Sequence, residues 1–553
     1  MRIDALFVNG DFHTQDPERP SAQVLAVLAG RVIATGDASL ADQFQPRATY
    51  DLQGRRVVPG FNDAHNHMLF HGLNLDAVNL ASPPMATVAD ICRAIGERAA
   101  ATPEGEWVIG AGYDQNKLAE RRHPTAAELD AVAPRHRVWL KHNSGHMCTV
   151  NSLVLGDIAG RPVPDGGVVE TGDDGRPTGL IQEQAQALVR NLTYPTSLAR
   201  MTAAIERASR QYLAEGVTSA TEAGVGAGLV AQSPIELLAW QQARASGALG
   251  VRVNLLVAVE ALHHLDHHAE DGECFGLDGG LVGGYGGFGD EWLRIGGTKV
   301  FSDGSLIGRT AAMFDPFEGG GCNCGFFQTD PEVLRQRILA AHRSGWQVGT
   351  HAIGDRAVAT VLDIYAECQR VHPRPDARHR IEHCGVIAEG LLDQVKALGV
   401  IPVPQGRFIS EIGDGMKDAL GVHRTPDAYR QRSFLERGIP LPGSSDRPVV
   451  NGAPLLGMHD MVNQRTASGE PFVPGEAIAV GAALHAYTAG SAYAAHEEGR
   501  KGTLAPGMLA DLVVLGEDLL AIDRDGIGQV PVLATVVGGA VAHDLMGLGD
   551  AGG

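Results

Sequence analysis

Between residues 55 and 446 the chain alternates short apolar runs with polar loops and helix-like stretches, and it does so eight times. The runs are RRVVPGFNDAH (55–65), GVTSATEAG (216–224), VRVNLLVAVE (251–260), LRIGGTKVFSDG (293–304), WQVGTHAIGD (346–355), RHRIEHCG (378–385), GVIPVPQ (399–405) and GIPLPGSSD (438–446). Stretches such as 203–216, 330–345 and 387–399 separate several of them and end in glycine, as a helix C-cap does. Strand–helix alternation on this scale predicts an α/β fold, a TIM-like (β/α)8 barrel. One gap is too wide for a single βα unit: about 150 residues separate the first two runs. That segment carries strand-like pieces of its own, EWVIGAGYD and HRVWLKHNSGH, so a large insertion after strand 1 is expected over about 75–185, covering the barrel mouth.

The two ends of the chain read differently. ALFVNG, QVLAVLAG, RVIATG and ATYDLQGRRVVPG at the start, and GTLAPGMLADLVVLG and VLATVVGGAVAHD at the end, alternate apolar runs with glycine turns. Neither end has enough strands to protect its own edges, so one small β-sandwich built from both termini is expected. The resulting division is 1–57 and 500–553 for the sandwich, with the barrel spanning 58–499. A formal charge of −20 over 553 residues argues against a surface for nucleic acid or anionic lipid. The seven cysteines form no CxxC pair, which fits a reducing compartment, and the acidic first residues do not read as a signal peptide. A cytoplasmic location is therefore expected, with a small-molecule substrate and no nucleic-acid or membrane partner.

The residues that carry chemistry cluster at strand ends. His65 and His67 directly follow the first run, and at i, i+2 on an extended chain their imidazoles point to one side. Lys299, His351, His383 and Asp446 close other runs. In a (β/α)8 barrel such ends converge on one mouth, where active sites lie. Two glycine-rich tracts (276–290 and 319–325) lack the GK[ST] of a phosphate loop and read as loops, and HHLDHH (263–268) reads as a solvated segment. Cys322 and Cys324 read as free thiols in the second of these tracts.

The motifs VVPGFNDAHNH, SGHMCTVNSLVL, GLIQEQA, GVTSATEAG, KVFSDGSLIGRTA, THAIGDRAV, RIEHCG, GSSDRPV and GTLAPGMLADLVVL together resemble the amidohydrolase superfamily. In detail they are similar to its amidohydrolase-3 branch, which includes N-substituted formamide deformylases. The resemblance covers essentially the whole chain. It implies a metal-dependent hydrolase of a C–N amide-type bond, working by attack of metal-bound hydroxide. His65 and His67 would bind the more buried metal, and His351 and His383 the second. Lys299, carboxylated by CO2 to a carbamate, would bridge the two; the alternative is a lysine paired with Asp303. Asp446 would complete the ligand set and shuttle the proton. One or two divalent transition-metal ions are implied, with zinc the leading choice. His146 would approach the substrate carbonyl as a catalytic donor, Tyr113 and Arg309 would belong to the substrate pocket, and a homodimer is expected. Deamination or decarboxylation at the same metals, or a non-catalytic ligand-sensing regulator, remain as alternatives.

Overall fold

The computed structural model describes residues 1–145, 147–164, 166–193, 196–227, 231, 233–264, 268, 270 and 287–548. His146, part of the HHLDHH run and most of the 276–290 tract lie outside the described residues. The chain forms two compact units, one of residues 1–68 and 208–553 and the other of 69–207.

The first unit contains the barrel. Its strands, in chain order, are β1 (Phe61–Asn66), β2 (Val217–Val225), β3 (Arg252–Ala258), β4 (Leu293–Phe301), β5 (Gln347–Ala352), β6 (Arg380–His383) and β7 (Ile401–Val403). They pair in parallel in that same order, as a sheet with crossover connections requires. Their inner and outer faces are both covered: all nine residues of β2 and all seven of β3 are buried, polar members included. The outer core joins Val348, Ile381 and Val300 of the strands to Leu334, Ile338, Val361 and Tyr365 of the helices Pro331–Arg343 and Asp355–Val371.

Two of the eight expected strands differ from the reading above. The first, 55–65, is two strands in two sheets. Arg56–Pro59 pairs with Leu512–Leu515, while β1 enters the barrel. Gly60 is the joint, and it has to be glycine because a Cβ there would stand 2.1 Å from Thr218 Oγ1. The eighth, 438–446, is no regular strand. Pro440 and Pro442 supply no N–H for a ladder. The segment nevertheless closes the barrel: Ala64 N donates to Gly443 O (2.9 Å) and Asp446 N to His65 O (2.7 Å) on one side. On the other, the Ser444 hydroxyl donates to Pro404 O beyond β7 (2.9 Å).

The chain ends form two facing sheets. One orders Arg31–Gly36, Val24–Leu28, Arg2–Val8 and Gln45–Asp51; the other orders Ala540–Asp544, Val532–Val537, Leu512–Leu515, Arg56–Pro59, Asp11–His13 and Ser21–Ala22. Phe7, Phe12, Leu25, Val57, Leu512 and Val536 share one core. A buried ion pair fastens this layer to the barrel: Arg252 of β3 donates to both carboxylate oxygens of Asp511, at 2.7 and 3.0 Å.

The second unit begins earlier and ends later than the expected 75–185. Its sheet orders Gly167–Thr171, Pro177–Glu183, Met147–Val150, Arg137–His142, Trp107–Tyr113 and Val78–Asn79. Helices Val88–Ala100 and Ala126–Val132 start in full capping boxes, Thr87 with Asp90 and Thr125 with Glu128. Ile91, Ile95, Val108, Leu129, Val138 and Leu140 make its core. Among the described residues no helix is long and apolar enough to cross a membrane.

Removing one member of the Arg252–Asp511 pair strands a buried charge. Asp511→Asn is expected to cost about 3–5 kcal/mol in denaturant unfolding, and Arg252→Met combined with Asp511→Leu much less.

Candidate metal centre

Four strand ends and the closing segment deliver side chains to one cluster. His65 and His67 leave β1, Lys299 lies two residues before the end of β4, and His351 is the fifth of six residues in β5. His383 ends β6, and Asp446 ends the closing segment. His65, His67, Lys299, His383 and Asp446 are buried, and His351 nearly so. The ligand atoms of His65, His383 and Asp446 all lie within 4.8 Å of one another. Asp446 Oδ1 stands 3.0 Å from His67 Nε2 and 3.3 Å from His65 Nε2. The rings of His351 and His383 meet edge to face, with centroids 4.5 Å apart.

Local backbone conformation aims two of these groups. His383 has φ +70° and Asp446 φ +59°, a left-handed conformation that costs a non-glycine residue about 1–3 kcal/mol. At His383 it ends the strand alternation, so that Glu382 and His383 both serve the same centre. Space for Glu382 comes from Gly349 on the neighbouring strand, where a Cβ would stand 2.5 Å from Oε1.

A surrounding layer of acceptors fixes which ring nitrogen each histidine offers. His65 Nδ1 donates to Glu382 Oε2, His383 Nδ1 to Gln405 Oε1 (2.7 Å), and His351 Nε2 to the Gly304 carbonyl (2.9 Å). The lone pairs left over are on His65 Nε2, His383 Nε2 and His351 Nδ1. His65 Nε2 is buried without a hydrogen-bond partner and faces the Asp446 carboxylate. Two electron-rich atoms face to face in a dry site are the arrangement a cation relieves, so the donor set fits a divalent metal.

The electrostatics agree. Burial depresses His383 to about 3, takes His351 well below its ordinary value and lowers His67, so these imidazoles keep their lone pairs at neutral pH. Burial alone would raise Glu382 and Asp446. Arg380 and His65 outweigh it at Glu382, and His65 and His67 at Asp446, so both carboxylates stay ionised. Arg380 is itself fully buried, donating to both Glu382 oxygens and to Ala64 O.

Lys299 is buried, with Nζ 4.8 Å from the Phe301 ring centroid, and burial brings its amine down to about 8. Among the described residues it has no ion pair. Asp303, its alternative partner, instead accepts from Ala312 N, Ile353 N and Gly354 N at 2.8–3.1 Å and lies 3.6 Å from His351 Nε2. That carboxylate pins the loop after β4 to the loop after β5.

Tyr113 and Arg309 have partners of their own. Tyr113 is fully buried within the core of the second unit, its hydroxyl bonded to Thr149 and His123 at 2.9 Å, which is a packing position. Arg309 donates to Glu318 O and braces its own loop. Gln405 and Arg380 escaped the sequence reading. Nothing in GVIPVPQ or RIEHCG distinguishes a buried amide or guanidinium that orients a ligand from one that merely packs.

Comparison with known proteins follows the same line. Residues 48–543 match the model of the amidohydrolase family. The chain is 30% identical over 551 residues to the protein LONG AFTER FAR-RED 3 of Arabidopsis thaliana, covering 97% of this chain and 91% of that one. It is 27% identical to an N-substituted formamide deformylase of Arthrobacter pascens, covering 98% and 99%. Among solved structures it is similar to an uncharacterized metal-dependent hydrolase from Pyrococcus horikoshii, with a TM-score of 0.76, 26% identity and coverage of 94% and 99%.

Gln405→Leu removes the acceptor that fixes the His383 tautomer while keeping its bulk. Metal binding is expected to weaken about 10–100-fold in a competition titration with a chromogenic chelator.

Proposed function

The chain belongs to the amidohydrolase family, and from that footing we infer that it hydrolyses a C–N amide-type bond in a small organic molecule with the help of bound metal. The observation that carries this reading is the convergence of oriented imidazole lone pairs and an ionised carboxylate on one dry point. His65 and His67 would hold one ion and His351 and His383 a second, with Asp446 completing the set. Zinc is the first candidate for that mixture of nitrogen and oxygen donors. When bound, such ions supply Lewis acidity toward a carbonyl and make a water molecule acidic near neutral pH.

The chain's own groups do the rest. Lys299 would serve as an oxygen ligand only after its neutral amine attacks the carbon of CO2 and loses a proton, giving a carbamate. A buried amine brought down to about 8 holds enough of the neutral form at pH 7 to do so. Asp446 accepts the proton of the attacking water and returns it to the departing nitrogen. His146 is the proposed donor to the developing oxyanion. The deformylase named among the relatives makes N-substituted formamides the first substrates to try.

The test joins metal analysis with a substrate screen. Protein grown with zinc and bicarbonate is expected to carry about two metal equivalents, falling to about one or none in Lys299→Ala. The loaded protein is expected to release an amine from formamides or other linear amides, and chelation to abolish the release. Ammonia release would point to a deaminase, CO2 release without water consumption to a decarboxylase. Absence of metal under every growth condition would overturn the reading in favour of a ligand-sensing protein.

A further inference from the structure

The second unit holds a cation that the metal centre does not use. Lys141 lies near the end of strand Arg137–His142 and is half-buried. Trp139, two residues earlier, shares its face of the strand. Lys141 Nζ stands 4.7 Å from the Trp139 ring centroid and 5.4 Å from that of Phe70, and donates to Asn74 Oδ1 at 3.0 Å. One of three ammonium N–H groups is thereby used.

Among the described residues no carboxylate pairs with this ammonium. Cys148, opposite it across the ladder, is a neutral thiol, pushed up to about 12 by burial. Arg200 adds a second positive charge that disfavours the first, and its own counter-ion is Asp76 at 3.8 Å. Burial and Arg200 together bring Lys141 down to about 8. In a chain of net charge −20, a desolvated ammonium facing another cation is conspicuous. The aromatic faces offset part of its cost, yet two N–H groups remain for an acceptor. Phe70 and Asn74 belong to the helix Met68–Asn74, which begins one residue after His67.

We propose that Lys141 is an anion subsite that takes the carboxylate end of a small organic molecule, with Trp139 and Phe70 against that molecule's apolar body. The subsite stands on the residues just named, all within the second unit, and on no reading of the metal centre.

Benzoate and its neutral counterpart benzamide are suitable probes, titrated calorimetrically into full-length protein, both zinc-loaded and chelated. Benzoate is expected to bind in both states and to bind at least about tenfold more weakly to Lys141→Met and Lys141→Gln. Benzamide binding is expected to be unchanged by either substitution, and Lys141→Arg, which keeps the charge, to retain benzoate. Benzoate affinity unaltered in the variants, or binding lost on chelation, overturns the subsite. So does wild-type protein that fails to bind benzoate at millimolar concentration, a result that needs no folded variant. Lys141-dependent benzoate binding in protein that cleaves no amide leaves the subsite standing and removes the hydrolase reading.

Discussion

The centre depends on how the barrel is closed. Asp63 of β1, almost wholly buried, accepts from His65 N at 3.1 Å, from Ser445 N at 3.1 Å and from the Ser445 hydroxyl at 2.5 Å. With the Asp446 N to His65 O bond beside it, this carboxylate joins the first strand to the last segment, residues more than 380 apart in sequence. A regular parallel ladder would have set that spacing by itself. Because two prolines prevent one, side chains take over the task, and the distance between His65 and Asp446 is set by a carboxylate and a serine. Arg447 continues the clamp, donating to both oxygens of Glu215 at 2.7 and 3.0 Å.

Charge is distributed around the centre with a consistent logic. Positive and ionised groups that would otherwise be costly to bury are used in pairs: Arg380 with Glu382, Arg252 with Asp511, Arg447 with Glu215. Only the first of these reaches the candidate ligands, and it does so through His65. The Arg380–Glu382 pair thus has two effects, satisfying a buried guanidinium and holding one imidazole tautomer. Burial keeps His67, His351 and His383 neutral, and Asp446 stays anionic, so these four groups present a favourable charge to a cation.

Much of this was legible in the sequence because it is local. The i, i+2 spacing of His65 and His67 needs only an extended strand to bring the two rings together, and a ligand at the C-terminal end of a run needs only a parallel barrel. What could not be read depends on residues far apart. His65 and Glu382 are 317 positions apart, so the partnership that orients the imidazole leaves no pattern along the chain. Strand alternation alone would put Glu382 on the face opposite His383, and the left-handed turn at His383 is what brings both to one centre. The switch of sheets at Gly60 was hidden for a similar reason, since VVPGFN reads as one apolar run and the crowding by Thr218 comes from another strand. Pro440 and Pro442 are visible in GIPLPGSSD, and they argue against a regular eighth strand.

The pairing of Arg56–Pro59 with Leu512–Leu515 also has a consequence for how the protein is made. A ribosome working at about 5–20 residues per second needs roughly 20–90 s to travel between those two segments. Throughout that interval the N-terminal sheet waits with an open hydrogen-bonding edge, and Asp11–His13 and Arg56–Pro59 have each other but no third partner beside Arg56–Pro59. Such an edge is a template for pairing with a neighbouring nascent chain. Synthesis of this protein therefore carries a hazard that its finished form does not, and the quality of the product depends on what shields the early strands until the last fifty residues emerge.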